Sequence, residues 1–119
     1  MNYLKDTNAG NLLKEIKTKS PLVWNISNFV SMDIAANMLL SIGASPAMAH
    51  AIEEAKSFAN LSKAINGALT INIGTFDKHW QECAVKVANE AKLHNIPWVL
   101  DPVGAGASEF RSNNAKELL

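Results

Sequence analysis

The residues best suited to chemistry lie together late in the chain, in the stretch Trp98-Val-Leu-Asp-Pro-Val-Gly-Ala-Gly-Ala-Ser108. Val99 and Leu100 end a short apolar run, and Asp101 and Pro102 stop it. Gly104 to Ala107 then form a turn nearly free of side chains, and Ser108 is placed to cap a helix. In a parallel α/β sheet a loop of this kind lies at the carboxyl edge of a strand, where ligands bind. The open backbone at Gly104 and Gly106, beside the free amides of a helix start, suits an anion such as phosphate. Asp101 would stand at the same edge, next to whatever binds. A plain strand-to-helix turn uses the same residues, so the loop gains meaning only from the elements around it.

Those elements alternate. Leu4, Leu12, Leu13 and Ile16 among lysines predict an amphipathic helix, interrupted near Gly10, ending before Pro21 and packed on the outside. Leu22 to Ile26 is a compact apolar run, as a buried strand should be, and Ser27-Asn28 closes it, so Asn28 falls where strand becomes loop. Val30, Ile34 and Met38 with Ala35, Leu39 and Ile42 predict a helix with one broad inward face, and Gly43 follows as its C-cap. Ala44 to Ala49 contains Pro46 and reads as an edge strand or extended connector, with Met48 near its end. Residues 52–63 have helical spacing, Ala68 to Ile73 is rich in strand formers, and Gly74-Thr75 marks a second strand exit. Asn72 and Thr75 would face the same edge as Asn28. Asp77 can cap a long helix with Trp80, Ala84, Val87, Ala88 and Ala91 inward, closed by Asn95 and Pro97. The order predicts an α/β fold: a parallel sheet with flanking helices, joined by right-handed crossovers.

The chain has 119 residues, 48% of them hydrophobic, which fits one domain spanning 1–119. Eleven basic residues balance eleven acidic ones without any like-charged run, which argues against nucleic acid and against electrostatic attachment to a membrane. The N-terminus lacks the apolar core of a signal peptide, and no run approaches the roughly 20 apolar residues that span a bilayer, so a cytoplasmic location is expected. The single cysteine, Cys83, excludes an internal disulfide and suits a reducing compartment.

Other reactive residue types have ordinary readings. His79 and Cys83 share a helix face but show no third metal ligand. Cys83 has no nucleophile signature around it and is expected to be a small buried side chain. His50 and His94 read as surface or helix-end residues. Trp24, Trp80 and Trp98, and Met32, Met38 and Met48, read as core. Glu53 and Glu54 suit a solvated helix start.

Four segments taken together resemble one family, the hydroxyethylthiazole kinases of thiamine salvage, in the ribokinase-like superfamily. They are Ser20 to Asn28, Ala36 to Met48, Ile71 to Thr75, and Asp101 to Ala107 with Phe110-Arg111, covering about positions 20–111 in the family's order. The resemblance implies the first half of a ribokinase-like fold, the N-terminal portion of a larger kinase domain. It implies transfer of a phosphoryl group from ATP to the hydroxyl of 4-methyl-5-(2-hydroxyethyl)thiazole, with magnesium, in a homotrimer whose sites lie between subunits. By position it assigns the thiazole to Met48, Asn28, Val30 and Gly43. The ATP phosphates fall to Arg111 beside Gly104 and Gly106, and a water-mediated magnesium to Asp101. Such parts suit phosphoryl transfer, in which positioning and charge neutralisation dominate. Trp24, Asp33 and Met38 depart from the family's usual residues. The family's second half, with an Asn/Glu magnesium motif and a Gly-Ala-Gly-Cys or Gly-Ala-Gly-Asp anion hole carrying the base, is not among these residues. The 119 residues by themselves are therefore expected to be inactive, with no catalytic residue of their own.

Two other readings compete. A dinucleotide-binding module would place its glycine fingerprint after the first strand, with an acidic residue about 20 positions on, whereas this loop comes late. A non-catalytic oligomerisation or regulatory fragment would lack the downstream anion hole.

Overall fold

Strand β1, Leu22–Ile26, is apolar apart from Asn25 and lies inside the sheet rather than at its edge. It is flanked by β2, Ser45–Ala47, and β3, Ala68–Asn72, and β4, Trp98–Asp101, completes the order β2-β1-β3-β4. All three pairings are parallel, with Ile26 beside Ile71 and Asn72 beside Asp101. The computed structural model describes residues 8–119. Helices α1, Ala9–Lys19, and α2, Met32–Ser41, precede β2. A 3-10 turn at Ile52–Glu54 leads into α3, Ala55–Ala64. Helix α4, Lys78–His94, joins β3 to β4, and α5, Glu109–Leu118, follows β4.

Period-two burial sorts the two sheet faces. Leu69 and Ile71 of β3 are buried while Ala68, Thr70 and Asn72 are half-buried. Trp24, Ile26, Leu69, Ile71 and Ile73 form one core with Ala55 and Ala59 of α3, Ala84, Val87, Ala88 and Ala91 of α4, and Ala115 and Leu118 of α5. The alanines have no bulk beyond Cβ, so α3 and α4 come close to the sheet and to each other, and Trp24 and Trp80 fill the remaining depth. Trp98 is half-buried, with Lys92 Nζ 5.9 Å from its ring centre. The other face carries Asn25, Thr70, Val99 and Asp101 under α2, and its cover is thin enough that Val99 is 67% exposed.

The helix ends follow the chemistry expected of them. Asp77 accepts from the Trp80 amide at 2.8 Å, Asn95 closes α4 in the left-handed region at φ 55°, and Ser108 accepts from the Arg111 amide at 3.2 Å.

Three expectations change. Helix α1 runs through Gly10 without interruption, because Gly10 stands in the first turn, where the amide has no intrahelical partner to lose. The part of that expectation resting on Leu4 lies outside the described residues. Of the residues expected on one face of α2, Ala35 and Leu39 turn inward, joined by Met32 and Ala36, whereas Val30, Ile34 and Met38 are 81%, 66% and 62% exposed. The helix is apolar on two sides, and the expected face drew residues from both. Met38 is accordingly a surface residue rather than core.

Candidate active site at the carboxyl edge of the sheet

The chain leaves β1 toward β2 on one side and returns to β3 on the other, so the connections from β1 and β3 diverge at their carboxyl ends. This switch point is where open α/β sheets leave a crevice for ligands. Asn28 and Asn72 stand on either side of it. Asn28 Oδ1 accepts from the amides of Val30 and Ser31 at 2.9 and 3.0 Å, which opens α2. Its amide group is thereby oriented, and Nδ2 donates to Asn72 Oδ1 at 2.5 Å. Asn72 Oδ1 also accepts from the Gly74 amide at 2.9 Å, so its own Nδ2 points the other way and donates to Asp101 Oδ2 at 2.7 Å. The sense of every link is fixed, from backbone amides through two carboxamides to an exposed carboxylate.

Gly74 makes this possible. A Cβ there would sit 2.6 Å from Asn28 Cγ, closer than any real contact. Thr75 Oγ1 accepts from the Phe29 amide at 3.0 Å and ties the two strand exits together. A pocket of about 370 Å³ opens between Asn28, Val30, Ser31, Asn72, Gly74, Thr75 and Val103. A second, of about 350 Å³, runs under Ser31 and Ala35 to Thr70, Val99 and Asp101. They share Ser31 and Asn72 and form one crevice along the edge.

The glycine loop borders this crevice through Val103. Gly104 and Gly106 both take positive φ, 74° and 95°. At Gly104 a Cβ would meet Arg111 Cδ at 2.9 Å, whereas Gly106 has open space around it. The amides of Ala105 and Ala107 are bonded within the loop, and that of Gly106 donates to Ser112 Oγ at 2.9 Å. Arg111 folds back across the loop. Its Nη1 donates to the carbonyls of Ile73 and Val103, the latter at 3.1 Å, and its Nη2 to that of Gly74. The guanidinium thus holds the end of β3 to the loop after β4 and is half-buried in doing so.

Of the residues assigned to the thiazole, the structure brings Asn28 and Val30 to one pocket and places Met48 one residue past β2 on the same edge. Gly43 is not brought there. It follows α2 at the amino edge of the sheet and packs on α1, where a Cβ would lie 2.9 Å from Lys17 Cα. Asp101 and the glycines share the edge with Asn28. Asn72 and Gly74 belong to the site although sequence gave them only a place at a strand exit. A polar residue ending a strand level with Asn28 was the available signal.

The remaining reactive groups lie behind the edge. Cys83 is buried and donates to the His50 carbonyl at 3.0 Å, and burial, with a smaller push from the Glu53 charge, raises its thiol to about 11. That suits a packed side chain and not a nucleophile. His50 is not a surface residue: it is half-buried and stacks on Trp80 at 4.4 Å. His94 lies in the last turn of α4, 3.7 Å from Glu90. Among the described residues no group of three metal-ligating side chains exists. No helix among them is long and apolar enough to cross a membrane.

The Hydroxyethylthiazole kinase family matches residues 13–119. The hydroxyethylthiazole kinase of Rhizobium johnstonii is 51% identical over 113 residues, which are 95% of this chain and 41% of that protein. That of Pyrococcus furiosus is 45% identical over 111 residues, 93% and 40% of the respective chains. The structure of the hydroxyethylthiazole kinase protein from Pyrococcus horikoshii OT3 superposes with a TM-score of 0.85 at 46% identity, covering 91% of this chain and 41% of that one. The chain spans about two fifths of the length of the relatives it matches. With sequence and fold agreeing along that whole span, the chain belongs to the hydroxyethylthiazole kinase family.

Proposed function

We propose that this chain supplies the alcohol-binding side of a kinase that moves the terminal phosphoryl group of ATP to the hydroxyl of 4-methyl-5-(2-hydroxyethyl)thiazole. The observation that carries this reading is the oriented chain from Asn28 through Asn72 to Asp101 along the switch-point crevice. In the reaction the alcohol oxygen bonds to the γ-phosphorus, the bond to the β,γ-bridging oxygen breaks, ADP leaves with that electron pair, and the hydroxyl proton passes to a base. This chain's share is positioning, which is most of what phosphoryl transfer asks of a protein.

Val30 and Met48 offer apolar contact for the thiazole ring, and Asn28 fixes the backbone that presents Val30. Gly104 and Gly106 stand on the phosphate side, with Arg111 setting the shape of their loop. A magnesium ion fits a lone exposed carboxylate, since Mg²⁺ keeps most of its water and takes one or two protein carboxylates beside phosphates. Asp101 Oδ2 is held by Asn72, which leaves Oδ1 for a metal-bound water. Magnesium there would offset charge on the phosphates. A homotrimer is part of the proposal, supported by the apolar side of α2 that the chain leaves uncovered, and so is a cytoplasmic location.

Calorimetric titration of the thiazole alcohol into the protein tests the reading. Saturable binding is expected, weakened about tenfold or more by Met48→Ala, because truncating a methionine removes apolar contact worth over 1 kcal/mol. No saturable binding at millimolar alcohol would overturn it. Sedimentation at equilibrium tests the trimer.

A further inference from the structure

The two strand exits that carry Asn28 and Met48 are joined behind the crevice by one side chain of α4. Trp80 Nε1 donates to the Ser27 carbonyl at 2.7 Å, one residue before Asn28. The Phe29 ring meets the same indole edge-on, 5.0 Å between centres. The His50 ring, two residues after Met48, stacks on the same indole at 4.4 Å and 22°. Trp80 is 5% exposed, and its backbone is fixed by the Asp77 cap. The exit from β2 has two further ties, from Trp24 Nε1 to the Ala49 carbonyl at 2.8 Å and from Cys83 Sγ to the His50 carbonyl. The Trp80 indole touches both exits at once, with its N–H on Ser27 and its ring on His50.

We propose that Trp80 is a positioning residue: through its N–H it sets the exit of β1, through its ring the exit of β2, and so it fixes the distance between Asn28 and Met48. It rests on the functional reading above only for the identity of the ligand held between them. An indole is suited to this because its donor and its faces point in different directions on one rigid frame. A second consequence is selectivity, since a gap set by a rigid group accepts one ring width and rejects larger ones.

The two arms can be cut separately. Trp80→Phe keeps a ring against His50 and loses the N–H to Ser27. Amide exchange at Val30 and Ser31, whose N–H groups bond to Asn28, should then rise about three- to tenfold, the effect of losing one hydrogen bond. His50→Ala removes the stack and leaves the indole N–H to Ser27 in place. Cys83 is the only cysteine and reports this arm: its reaction with a disulfide reagent should accelerate about three- to tenfold in His50→Ala and stay slow in Trp80→Phe. Exchange at Leu69 and Ile71 in β3 should not change in either variant. If both variants raise all three signals together, Trp80 is merely part of the core and the proposal fails; it fails equally if neither arm responds. Titration with the thiazole alcohol then separates the two claims. Both variants should weaken binding, and a wild-type protein that shows the separate arms but binds no alcohol would remove the substrate reading and leave the positioning role standing.

Discussion

Asn72 and Asp101 are direct register partners on β3 and β4, and the 2.7 Å bond between their side chains adds a side-chain link to the last pair of the ladder, beside the backbone bond from the Ile73 amide to the Asp101 carbonyl. The site is in this sense an extension of the sheet in side chains. Asn72→Ala should therefore cost more than an ordinary half-buried polar change. It leaves Asn28 Nδ2 and the Gly74 amide without their acceptor, worth about 1–3 kcal/mol, and urea denaturation measures it.

Arg111→Lys is expected to destabilise the fold nearly as much as Arg111→Ala, by about 2–3 kcal/mol, because an ammonium cannot reach three carbonyls that a planar fork serves together. Thermal melts of both variants decide this. Unchanged melting together with weakened ATP binding would show instead that the guanidinium serves the phosphates.

Gly74→Ala should break the link between Asn28 and Asn72 even though Gly74 has an ordinary φ. The added methyl has no room beside Asn28 Cγ, and relief requires the asparagine to turn away, at about 1–3 kcal/mol. In NMR spectra the Asn28 and Asn72 side-chain amide signals should move together, with Gly10→Ala as the quiet control.

Cys83 gives a pH dependence whose sign is set by burial. Its thiol is raised from 9.0 to about 11 in the folded chain, so the folded state holds the proton more tightly than the unfolded one. The stability this contributes is fully present below 9.0 and is lost as pH rises toward 11. Denaturation midpoints should fall over that window, and Cys83→Ala should flatten the fall. A wild-type midpoint that matches Cys83→Ala across the window would contradict the assignment.

Much of this was legible in the chain. The strand sequences betrayed their burial by compact apolar runs and β-branching, and Asp77, Asn95 and Ser108 announced helix ends by side chains that suit those positions. The shared edge of Asn28, Asn72 and Asp101 followed from polar residues ending parallel strands. Arg111 could not be read in the same way, since its partners are backbone carbonyls 37 and 38 positions away and a carbonyl has no sequence signature. The outward side of α2 was misplaced for another reason. Periodicity reveals that a helix has an apolar face, but with apolar residues on two sides only the sheet decides which is buried. Gly43 was grouped with Val30 by resemblance, and the length of α2 separates them to opposite edges.

The run of carboxamides from Asn28 to Asp101 also has a bearing on how the molecule ages. Loss of ammonia from Asn72 would set a new carboxylate at hydrogen-bond distance from Asp101, turning an attraction into a repulsion at the centre of the crevice. The reaction begins with attack by the following backbone nitrogen, which bulky neighbours obstruct. Asn28 is followed by Phe29 and Asn72 by Ile73, while the exposed Asn66, remote from the crevice, is followed by Gly67. A stored preparation should therefore gain its first negative charge at Asn66, and the crevice should outlast it.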